Sequence, residues 1–147
     1  MSEDKWIKTY FKVIDKLKRY RAVGPYNELK IVGNRPAPPH GWLFNRHHID
    51  EIYTSGAKLM ETPEYQTGEC IVVNYTEHYL LHYIIVMAQT TFPNHGMLMN
   101  PIKVNYTITQ AIDLWEEQIK IGCEKFNVEF DENWRKILTY KRKEKRK

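Results

Sequence analysis

Four of the six histidines fall in two tight groups. His47 and His48 are adjacent at the end of an apolar-aromatic run, and His78 and His82 stand four residues apart. Imidazole ligates divalent metals and exchanges a proton near neutral pH. On a helix, residues four apart share one face, one turn from each other, so His78 and His82 can address a single ion. In an extended chain neighbouring side chains point to opposite faces, so His47 and His48 cannot share a role unless the strand has ended. Either pair alone reads more simply as side chains bonded to backbone or water. Both pairs on consecutive elements point instead to a metal ion beside a general base.

The elements that must position these residues are legible in outline. Trp42-Leu43-Phe44 is a short strand candidate that runs into Arg46-His47-His48. Trp42 and Phe44 alternate along it and are therefore expected in the core rather than against a nucleobase. Residues 50–68 are polar and turn-rich, a long loop of the kind that often carries function. Cys70-Ile-Val-Val73 is β-branched and apolar, a buried strand. Asn74-Tyr-Thr-Glu77 has the form of a capping box, so a helix is expected from Tyr75 to about Gln89. Upstream, Trp6, Ile7, Tyr10, Phe11, Ile14 and Leu17 recur at helical spacing over 4–20, followed by a Gly- and Pro-rich loop over 21–42 with a possible extended piece at Leu29–Val32. Downstream, Pro101 argues against a long helix over 97–106. Ile108, Ala111, Ile112, Trp115 and Ile119 mark a helix stopped by Gly122, and Asp131 caps a last helix through Trp134, Ile137 and Leu138.

The segment from Leu43 to Val86 resembles the ββα-metal module of HNH endonucleases. It is most similar to members with a His-His-Ile start and a Glu-His-x-x-x-His helix, which stand here as His47-His48-Ile49 and Glu77-His78-Tyr-Leu-Leu-His82. The resemblance implies an α+β fold, mostly helical, with this module flanked by an N-terminal helix and C-terminal helices. The chain is then one domain. Residues 1–42 are the N-terminal helix and loop, 43–91 the module, 92–134 a helical C-terminal part and 135–147 a basic tail.

Roles follow from the same resemblance. His47 takes the position of a metal ligand and His48 that of the general base. His78 is the helical metal ligand, and His82 completes the metal shell or touches phosphate. Where the family usually has an Asn before the second strand, orienting the base, this chain has Glu69. A carboxylate accepts an imidazole N–H as well as an amide does. The implied activity is hydrolysis of DNA phosphodiester bonds with one divalent metal ion (Mg, Mn, Zn or Ni). The alternative is a non-catalytic nucleic-acid-binding protein with a structural or vestigial metal site. A third reading is a small interaction protein whose histidines are incidental.

Bulk properties fit an intracellular protein whose basic tail suits phosphate backbones or anionic membranes. The chain has 147 residues and 42% hydrophobic content, enough for one sizeable core. The net charge of +4 is a C-terminal property: 135–147 holds eight Lys or Arg and one Glu, leaving the rest acidic. Lys141, Arg142 and Lys143 in that tail, with Arg19, Arg21 and Arg46 nearer the histidines, are the candidate phosphate contacts. Cys70 and Cys123 lie far apart and form no CxxC, so a cysteine-based zinc knuckle is excluded and buried free thiols are expected. The charged first 20 residues do not read as a signal peptide, and no apolar stretch is long enough to cross a bilayer. A cytoplasmic location without membrane contact is therefore expected, phage origin being one possibility that the resemblance carries.

Overall fold

A computed structural model describes residues 2–91, 94, 97 and 107–138, with side chains from residue 5. The architecture is α+β. Helix α1 (Ser2–Leu17) leads to strand β1 (Val23–Pro25), then β2 (Phe44–His48) and a 3-10 turn (Ile49–Ile52). Two single-turn helices follow, α2 (Gly56–Leu59) and α3 (Glu64–Thr67). Strand β3 (Glu69–Asn74) runs directly into α4 (Tyr75–Ala88). Helices α5 (Ile108–Phe126) and α6 (Trp134–Ile137) come last. The three strands form one antiparallel sheet in the order β1-β3-β2.

The sheet is covered on both faces, which is why β3 needs an unbroken apolar run. Ile71 and Val73 face the main core, built from α1, α4, α5 and α6. Cys70 and Val72 face a smaller cluster with Leu29, Tyr26 and Ile31 from the chain between β1 and β2 and with Phe44 at the start of β2. The expected α1 stripe is buried at Trp6, Tyr10, Ile14 and Leu17, and α5 buries Ala111, Ile112, Trp115 and Ile119. Cys70 and Cys123 are buried free thiols. No described helix is long and apolar enough to cross a membrane.

Helix α4 is positioned by its cap. Asn74 Oδ1 accepts from the Glu77 amide at 2.8 Å, and Glu77 Oε1 accepts from the Asn74 amide at 2.9 Å. Glu77 is almost fully buried, so its charge needs a partner. Arg21 supplies it through two bonds, Nε to Oε1 at 2.9 Å and Nη2 to Oε2 at 2.8 Å, and the Tyr20 hydroxyl donates a third at 3.0 Å.

Several expectations are corrected. The extended piece lies at Val23–Pro25, not Leu29–Val32, because β3 offers its second edge to the residues just after α1. The strand before the histidines begins at Phe44 and includes both of them. The loop over 50–68 folds into three short helical turns. Gly122 does not end α5; it lies inside, where a Cβ would stand 3.0 Å from that of Leu80. The helix ends at Asn127, whose φ of 58° is left-handed. The last helix spans one turn from an N-cap position at Asn133, whose side chain makes no cap bond, while Asp131 Oδ1 accepts from the Asn133 amide at 2.8 Å. Trp42 is half exposed and does not join the core. Lys141, Arg142 and Lys143, with all of 139–147 and most of 92–106, lie outside the described residues.

Candidate metal centre

Strand register decides which histidine meets the helix. His47 pairs with Ile71 and His48 with Cys70, so His47 shares the face of Ile71, toward α1 and α4, while His48 turns to the opposite side. On α4, His78 and His82 stand one turn apart with ring centroids 4.8 Å from each other. The His47 ring is 5.2 Å from that of His78 and 5.0 Å from that of His82. Each of the three offers a ring nitrogen, and these lie within 4.8 Å of one another.

Glu51 stands at the same place. The 3-10 turn after β2 brings its Oε1 to 3.4 Å from His82 Nε2 and its Oε2 to 3.7 Å from His47 Nδ1 and 3.9 Å from His48 Nδ1. The His48 amide steadies that carboxylate at 3.3 Å. Sequence reasoning passed over Glu51. The available signal was its place three residues after a strand end, where an acidic side chain reaches back to a free amide.

Tyr10 fixes the form of His47. Its hydroxyl is 2.8 Å from both the Ile49 carbonyl and His47 Nε2. A carbonyl only accepts, so the single hydroxyl proton goes to Ile49, and the oxygen accepts from His47 Nε2–H. The lone pair of His47 is then on Nδ1, which is buried with no hydrogen-bond partner. His78 Nδ1 is likewise buried with no hydrogen-bond partner among the described residues. Two orphaned ring nitrogens beside a third imidazole and a carboxylate are costly without a ligand, and they match the donor set of a divalent transition ion.

The local electrostatics point the same way. Burial pushes the His78 imidazole down to about 4. Burial first, and then repulsion between neighbouring rings, holds His47 and His82 well below their ordinary value. All three are therefore neutral at pH 7, the form that ligates. Burial pushes the Glu51 carboxyl up to about 7, against the pull of the His48 amide. A cation would reverse that shift.

His48 is buried on the far face of β2. Its Nε2 donates to the Tyr65 carbonyl at 2.7 Å, and its ring stacks on Tyr26 at 4.9 Å. This bond leaves Nδ1 as the basic nitrogen, on the Glu51 side. Glu69 does not orient His48. It is exposed at the start of β3, opposite Pro25, and the Tyr65 carbonyl holds the ring instead. The long loop thus supplies the orienting group through its backbone, which no side-chain motif reveals.

The candidate phosphate contacts divide. Arg21 is committed to Glu77 through Nε and Nη2. Arg19 is exposed. Arg46 stacks over Tyr26 at 4.1 Å, and its Nη1 donates to the Tyr26 and Leu29 carbonyls. It lines a groove that also reaches His78. Compared with known proteins, the chain matches no family model, no curated protein and no solved structure.

Proposed function

We propose that this protein is a metal-dependent endonuclease of the HNH type, hydrolysing DNA phosphodiester bonds. One observation carries the reading: on a consecutive strand, strand and helix, His47, His78 and His82 converge, with two buried nitrogens left unpartnered. His47, His78 and His82 would hold the ion, with Glu51 close enough to add an oxygen. A divalent cation held there would supply charge neutralisation to the phosphodiester being hydrolysed.

The chain's own groups supply the remainder. His48, its Nε2–H held by the Tyr65 carbonyl, offers Nδ1 to take a proton from the attacking water. Arg46, beside the cluster, offers cationic charge to the substrate backbone.

A specific observation also favours the non-catalytic reading. Three imidazoles and the Glu51 carboxylate make four ligands, and closed four-ligand sites are structural. The deciding experiment incubates supercoiled plasmid with the protein and Mg, Mn, Zn or Ni, with EDTA as control. Nicking by the parent is expected, and a loss of about a hundred- to ten-thousand-fold in His48→Ala with metal uptake retained. DNA binding and metal uptake without nicks would establish the structural site instead. His48→Ala cutting at the parent rate would remove His48 as the base.

A further inference from the structure

A groove of about 340 Å³ runs beside the cluster, lined by Tyr26, Asn34, Trp42, Arg46, Tyr65 and His78 among others. That volume is in the range of small-ligand sites. Strand β2 pairs only with β3, so its other edge is free of any described strand. That edge is not open to an added peptide strand. Asn34 already clamps Phe44, its Oδ1 accepting from the Phe44 amide at 2.9 Å and its Nδ2 donating to the Phe44 carbonyl at 3.1 Å. The Leu43 amide donates to the Arg35 carbonyl at 2.8 Å. Whatever enters must be recognised by side chains.

Those side chains are aromatic and cationic. Trp42 is 50% exposed, whereas Trp6, Trp115 and Trp134 are buried. Trp42 is also held in place by a bridge to Pro36, next to the bond from the Ala37 amide to the Gly41 carbonyl. Little ordering is therefore needed for it to present a flat face. Arg46 spends Nη1 on two carbonyls. Its Nε and Nη2 have no partner among the described residues.

We propose that this groove receives an unpaired nucleobase, stacked on Trp42, beside the phosphate that reaches the histidine cluster. The substrate class is then single-stranded or locally opened nucleic acid rather than intact duplex. A base within a duplex has both faces covered, and an aromatic side chain stacks on it only after it leaves the helix. The position of the phosphate rests on the nuclease reading above; the stacking does not, because it needs no metal.

The test uses the full chain in EDTA, which withholds the ion that cutting would need, at about 0.15 M salt. A fluorescein-labelled strand of about twelve nucleotides, within the range of single-strand sites, is compared with its duplex by anisotropy. A tighter single-strand complex is expected, although duplex has the denser charge and would win on electrostatics alone. Tryptophan emission should fall on binding, since the other three indoles are shielded. Trp42→Ala should weaken strand binding about tenfold, and Trp42→Phe should retain most of it. Duplex binding as tight as the single strand, or Trp42→Ala binding like the parent, overturns the inference. The two proposals fail separately. A protein that shows Trp42-dependent strand preference but never nicks plasmid keeps the groove and loses the nuclease reading. One that nicks without that preference loses the groove alone.

Discussion

At the scale of single residues, the centre depends on which nitrogen of each ring is free. Tyr10 settles this for His47 from a helix 37 residues upstream. Tyr10→Phe removes one oxygen and orphans both the His47 Nε2–H and the Ile49 carbonyl. A stability loss of about 1–3 kcal/mol is expected from the unmet groups. Metal affinity should fall about 10- to 100-fold, as for other groups that orient a ligating histidine. Competition against a chelator of known affinity measures this; an unchanged affinity would show that Tyr10 does not set the tautomer. The histidines themselves were readable from type and spacing. Glu51, Tyr10 and the Tyr65 carbonyl were not. Their roles arise from a 3-10 turn, a helix-to-strand packing and a backbone group, and only Glu51 carries a local signal, an acidic side chain three residues after a strand end.

At the scale of elements, the strongest local signals were right because local chemistry fixes them. The Asn74–Glu77 box starts α4 where the sequence places it, and the β-branched run at 70–73 is buried on both faces. Failures came where tertiary contact overrides composition. Gly122 suggests a helix end, yet it lies inside α5 in tight packing against Leu80, where an added Cβ would require Leu80 to shift. Trp42 suggests core, yet it bridges Pro36 outside the sheet and stays half exposed. Arg21, a candidate phosphate contact by sequence, neutralises a nearly buried carboxylate in the fold. This last point gives a ranking. Asn74→Ala should cost about 1 kcal/mol, the usual value of a cap. Arg21→Ala should cost more, since it strands the Glu77 charge. Urea titrations of both variants check the order, and equal or reversed losses would mean that Arg21 is free for other partners.

At the scale of the whole molecule, the three histidines make the metal-free protein acid-sensitive. Their folded-state values lie below that of an unfolded imidazole, so the unfolded chain binds more protons. The stability they contribute is complete above about pH 6.5 and is lost as pH falls toward 4. Glu51 works against them, since a carboxyl pushed up to about 7 favours the fold at lower pH, but it is one group against three. Melting temperatures of EDTA-treated protein should therefore drop between pH 7 and 5. A divalent ion at a hundred times its Kd should add about 2.7 kcal/mol at pH 7. His78→Ala should abolish that gain. A flat pH profile, or an equal gain in His78→Ala, would place the ion elsewhere.

Strand β3 ends at Asn74 and helix α4 begins at Tyr75, with nothing between them. Pairing to β2 sets where β3 lies, and the direct junction passes that setting on to the rotation of α4. One additional residue at the junction would turn the helix by about 100° and carry both of its imidazoles off the shared axis. A single peptide bond is thus the ruler of the cage, and the chain has no slack there with which to correct an error.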